Sequence, residues 1–187
     1  MKPIYLDYNA TTPIAPEVAQ AMRPFLENHF GNPSSMHWYG IQTKKAVENA
    51  RKQIADLLHA HPDEIIFTSG GSESNNFAIK GIALSHKDRG NHIITSSIEH
   101  PSVIEVCEYL ESQEFIITYL PVDEYGLVNP KDVEKAITPQ TILITIMHSN
   151  NEVGTIQPIS EIVEIAKQNN IFVHIDAAQS LGKIPVY

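Results

Sequence analysis

The chain alternates between short apolar runs and longer stretches in which apolar residues recur every three or four positions. Continuous, largely β-branched runs stand at 65–67, 93–95, 115–120, 142–147 and 171–175. Their length and Ile/Val content predict five strands. Helical spacing covers about 15–29, 42–59, 72–86, 101–112, 130–137 and 158–169. The first of these helices starts at Ala15-Pro16-Glu17 and stops before Gly31, with Pro24 inside it as a predicted kink. The second sets Ala46, Ala50, Ile54, Leu57 and Leu58 on one side, and Gly31-Asn32-Pro33-Ser34-Ser35 between them reads as a loop. Strand followed by helix at this spacing predicts an α/β protein with a mostly parallel sheet. Apolar runs in place of strict alternation imply strands covered by helices on both faces.

In such sheets ligands bind beyond the carboxyl ends of the strands, and polar residues collect at four of those ends. They are Thr68-Ser69-Gly70-Gly71-Ser72, Ser96-Ser97-Ile98-Glu99-His100, His148-Ser149-Asn150-Asn151-Glu152 and Asp176-Ala177-Ala178-Gln179-Ser180. Gly70 and Gly71 allow close backbone approach just where a helix begins, and the free N–H groups there suit a phosphate. The alternative is a plain turn with Ser72 as helix cap. The stretch lacks the lysine of a P-loop and the spacing of a dinucleotide fingerprint, and it does not fit a nucleophile elbow. Asp176, straight after an apolar strand, needs a partner. A protonated pyridine nitrogen is one, a structural cap another. His100 is placed to lie on a ring or move protons, or to be an ordinary satisfied histidine. Asn151 is either a donor to a phenolate oxygen or a turn amide.

Composition narrows the classes. The 187 residues suffice for one sizeable domain. With 42% hydrophobic and 19% charged residues the make-up is that of a globular protein. A net charge of −9 argues against a nucleic-acid partner. No apolar run is long enough for a membrane span, and the first residues, MKPIYLDYNATTP, do not read as a secretory leader. The single cysteine, Cys107, excludes an internal disulfide and fits a reducing compartment, the cytoplasm by default. It reads as a packed thiol. Nine histidines offer only His59-Ala60-His61 as a close pair, so no metal site is expected.

Taken together, LDYNATTP (6–13), FGNPSSMH (30–37), FTSGGSESNN (67–76), SSIEHPSV (96–103), MHSNNEVGT (147–155) and HIDAAQSLGK (174–183) resemble the class V aminotransferase family, and within it the cysteine desulfurases of the NifS/IscS type. The resemblance runs in order from residue 3 to 187. It implies pyridoxal 5′-phosphate (PLP) as cofactor, with Gly71 and Ser72 at its phosphate, His100 stacked on its ring as the catalytic histidine, Asn151 and Gln179 near its phenolic oxygen, and Asp176 on its pyridinium nitrogen. The implied reaction turns cysteine into alanine and leaves the sulfur as a persulfide on a mobile enzyme cysteine. A homodimer, a sulfur-acceptor protein and iron–sulfur cluster assembly follow from the same likeness.

The resemblance also implies what residues 1–187 do not carry. The family's Schiff-base lysine, its mobile cysteine and its small carboxyl-terminal domain fall beyond the matching segments, so the chain is expected to be the amino-terminal part of the PLP-binding large domain. Lys183 is not at the lysine's position, and Cys107 is not at the nucleophile's. The family's large domain resembles a seven-stranded sheet of spatial order 3-2-4-5-6-7-1, in which the run 65–67 is separated from the other four by two strands absent here. A complementary chain, an exchange between two copies or a rearranged sheet are the expected ways to close it. A selenocysteine lyase or another enzyme of the family, and a catalytically inactive interaction module, are the alternative functions.

Overall fold

A computed structural model describes residues 3–185, which form two compact units, one ending at Phe67 and the other beginning at Thr68.

In the first unit, α1 (Pro16–Glu27) takes Pro16 into its first turn and continues through Pro24, and none of its residues is buried. Helix α2 (Trp38–Leu58) begins earlier than the apolar spacing indicates. The His37 ring accepts from the Gly40 N–H at 3.4 Å. Gly40 is buried so tightly that a Cβ there would stand 2.3 Å from the Ser35 carbonyl oxygen, so this turn depends on packing that periodicity does not record. Both histidines of the close pair are caps. His59 ends α2 in the left-handed region at φ 52, and His61 shares a reciprocal capping box with Glu64 around the 3-10 turn Pro62–Glu64. Among the described residues no group of three His, Cys, Asp or Glu side chains is arranged to hold a metal.

The expected strand at 65–67 does not form. Ile66 is 61% and Phe67 50% exposed, and the segment pairs with nothing in the sheet. An extended run becomes a strand only when a neighbour accepts its backbone hydrogen bonds, and among the described residues no strand pairs with this segment.

In the second unit, β1 (His92–Ser96), β2 (Ile116–Leu120), β3 (Thr141–Met147) and β4 (Phe172–Asp176) make a wholly parallel sheet in the order β2-β1-β3-β4. This is the 3-2-4-5 portion of the expected order. Helix α3 (Gly71–Ser85) leads into β1, and the crossovers are α4 (Pro101–Glu111), α5 (Pro130–Ala136) and α6 (Ile159–Gln168). Adjacent strand residues point to opposite faces, which divides the core in two. Ile93 and Leu143 pack with Ile79 and Ala83 of α3 and Val103, Val106, Cys107 and Leu110 of α4. Ile94, Ile144 and Ile146 pack with Val133 of α5 and Ile162 and Ala166 of α6. Every residue of β3 is buried, as its unbroken TILITIM requires of a central strand. The carboxyl ends of β1, β3 and β4, and the amino end of α3, carry the polar loops.

Candidate functional site

Three of those loops are tied to one another by buried polar groups. The Glu99 Oε1 atom accepts from the Ser96 hydroxyl at 2.6 Å and from the Met147 N–H at 3.0 Å, joining the ends of β1 and β3. Asn150, 7% exposed, donates to the Ile98 carbonyl and accepts from the Glu152 and Val153 N–H groups. The His148 N–H donates to the Asp176 carbonyl at 2.8 Å, joining β3 to β4. Glu99 is 7% exposed and its Oε2 has no partner. Burial, with the nearby Asp176 charge adding to it, raises its pKa to about 7 against the pull of its two hydrogen bonds.

Asp176 and His100, distant in sequence, are joined through two residues. Asn75 Nδ2 lies 2.8 Å from Asp176 Oδ2 and 2.9 Å from Ser102 Oγ. Ser102 Oγ in turn lies 2.8 Å from His100 Nδ1. The second Asp176 oxygen accepts from the Ala178 N–H at 3.0 Å. The carboxylate for which the sequence left two kinds of partner open is thus held at both oxygens. His100 is the N-cap of α4, its Nδ1 accepting from the Ser102 N–H. Its ring is tethered at one nitrogen while the residue remains exposed.

The amino end of α3 is bare. Gly70 is the N-cap and offers no side chain, so Ser72 is inside the first turn and does not cap the helix. A Cβ added at Gly70 or Gly71 would meet nothing within 4 Å, which leaves open space in front of the helix terminus. The preceding turn is braced locally. Glu73 accepts from the Ser69 N–H and hydroxyl, which lowers its pKa, and Thr68 Oγ1 is 2.6 Å from Ser74 Oγ.

Asn151 and Gln179 stand on the loops that follow β3 and β4. Asn151 donates to Glu152 at 2.9 Å, and Gln179 accepts from Lys183 at 3.2 Å. Cys107 is fully buried in the core of α4, where desolvation and the surrounding carboxylates push its thiol up to about 12. It is a packed thiol, as expected.

Sequence reasoning missed Asn75, Ser102, Glu99 and Asn150. A signal existed for the first. Asn75, Ile79 and Ala83 repeat every four residues along α3, and all three are buried, so Asn75 is a polar residue on the core-facing stripe.

The model for the family described as Aminotransferase class-V matches residues 4–187. A cysteine desulfurase IscS of Dictyoglomus turgidum is 57% identical over 98% of this chain and 46% of its own length. Another of the same name from Methanosarcina thermophila is 55% identical over 99% of this chain and 46% of its own. Among solved structures, a NifS-like protein superposes with a TM-score of 0.94 at 42% identity, over 97% of this chain and 50% of that one. The chain therefore spans about half the length of the curated relatives it matches. SspA, solved in complex with cysteine, superposes with a TM-score of 0.91 at 49% identity, over 94% of this chain and 51% of that one. With the parallel β2-β1-β3-β4 sheet and the tied loops at its carboxyl edge, these likenesses settle the family: the chain belongs to the class V aminotransferases, which are PLP-dependent enzymes.

Proposed function

We propose that residues 1–187 are the amino-terminal part of the PLP-binding domain of a cysteine desulfurase. The observation that carries the reading is Asp176, a carboxylate at the end of β4 held at both oxygens and linked by hydrogen bonds to His100. The residues fit the cofactor's parts. Asp176 would hold the pyridinium proton, and the open, side-chain-free amino end of α3 at Gly70 and Gly71 would take the phosphate, with Ser72 in its first turn. His100 would lie on the ring, and Asn151 and Gln179 would serve the phenolic oxygen. PLP bound there supplies an electron sink for amino-acid chemistry.

The relatives named cysteine desulfurase and the relative solved with cysteine support cysteine as substrate. Desulfuration also needs an amine to hold the cofactor and a mobile thiol to receive sulfur. Lys183 is not at the position of the family's lysine and Cys107 is buried, so this reading takes both groups from a complementary carboxyl-terminal stretch. A sulfur-acceptor protein, a homodimeric assembly and a cytoplasmic setting complete the proposal. The test is a PLP titration of the chain followed by absorbance, with borohydride scoring covalent attachment. Saturable binding that weakens in Asp176→Ala, without borohydride fixation, is expected. Binding indifferent to Asp176 refutes the pyridinium role.

A further inference from the structure

The hydrogen bonds between Asp176 and His100 have a direction. An ionised carboxylate only accepts, so the Asn75 atom facing Asp176 must be its NH2 group. The other proton of that NH2 goes to Ser102 Oγ, 2.9 Å away. Ser102 Oγ therefore accepts from Asn75 and has its own proton to give. The backbone N–H of Ser102 already donates to His100 Nδ1 at 3.2 Å, and a backbone N–H cannot reverse. Nδ1 is thus an acceptor, and the Ser102 hydroxyl at 2.8 Å donates to it as well. In the neutral ring the proton then resides on Nε2. Asn75 and Ser102 are both buried, at 5% and 8% exposure, so water does not compete freely for these bonds.

We propose that Asn75 and Ser102 are positioning residues that hold Asp176 and His100 in register and fix the imidazole as the Nε2–H tautomer, so that His100 offers its site a donor and not an acceptor. A ligand group meeting that edge of the ring must be an acceptor, such as a carboxylate, a thiolate or a phenolate oxygen. The inference takes from the proposed function only that His100 and Asp176 face the ligand.

The experiment is a two-bond proton–nitrogen correlation spectrum of the chain labelled with nitrogen-15 histidine, without PLP and under mildly alkaline conditions, with His100 assigned by its loss in His100→Gln. A protonated Nε2 and an unprotonated Nδ1 are expected. Ser102→Ala keeps only the backbone donor and should lower the ratio of the two tautomers by about tenfold, the size of one neutral hydrogen bond. Ser102→Thr should restore it, and Asn75→Leu should fall between. A protonated Nδ1 in the wild-type chain, or a ratio unmoved by Ser102→Ala, overturns the proposal. The wild-type spectrum decides the tautomer even where a variant fails to fold. Because PLP is left out, a failed PLP titration and a failed tautomer assignment are separate results.

Discussion

Glu99 sets a pH dependence that can be worked through. Its folded-state pKa rises from 4.5 to about 7, chiefly through burial, and one unit corresponds to about 1.4 kcal/mol. The side chain is only 7% exposed, so little screening discounts the effect. The folded state holds the proton more tightly than the unfolded state. Stability contributed by the neutral carboxyl is therefore complete below about pH 4.5 and is lost as pH rises through about 7, with a total near 3 kcal/mol. Glu99→Gln keeps an oxygen for the Ser96 hydroxyl and the Met147 N–H but cannot ionise. Urea unfolding midpoints measured across that range for both proteins isolate this one group, because other titrations cancel in the difference. The stability of wild type relative to Glu99→Gln should decline steadily over the window. Asp176→Asn, which removes the neighbouring charge, should narrow the window from its upper end. Parallel profiles for wild type and Glu99→Gln would refute the reasoning.

Other outcomes follow from burial and space. Ile144→Ala empties a fully buried position on the central strand and should cost about 2–5 kcal/mol in urea unfolding; Ile175→Ala, at 37% exposure on edge strand β4, should cost clearly less. A Cβ at Gly71 would meet no atom within 4 Å, so Gly71→Val should change the unfolding free energy by less than about 1 kcal/mol while PLP retention falls, as paired titration and unfolding curves would show. Cys107 should stay unreactive toward a thiol-specific disulfide reagent until the chain is denatured, because its thiol is buried and pushed up to about 12; rapid labelling of the folded chain would contradict that placement.

Much of the architecture is dictated by local physics and was therefore legible along the chain. The run 142–147 read as a strand covered on both faces, and every residue of β3 is buried. The helices α3 to α6 follow from apolar spacing, and the loops at the strand ends announced themselves by a change from apolar to polar residues. Strand-hood at 65–67 was a different matter. Its composition is that of a strand, yet a strand is a property of a pair, and among the described residues no strand pairs with it. The same holds for α2, whose first turn rests on Gly40 fitting against the Ser35 carbonyl.

The site divides along that line. Which residues are candidates by their chemistry (Asp176, His100, and Gly70 and Gly71 at the start of α3) is a matter of residue type and position at a strand or helix end, and the sequence by itself determined that list. What holds them is not local. Asn75 and Asp176 are 101 positions apart and meet at 2.8 Å, and Glu99 reaches the Met147 N–H across 48 positions. Contacts of that kind exist only once parallel strands β1, β3 and β4 lie side by side, because the sheet order brings their carboxyl ends to one edge. Tertiary structure alone decided that Asp176 is partnered, that His100 has a donor tautomer and that Glu99 is desolvated enough to keep its proton near neutral pH.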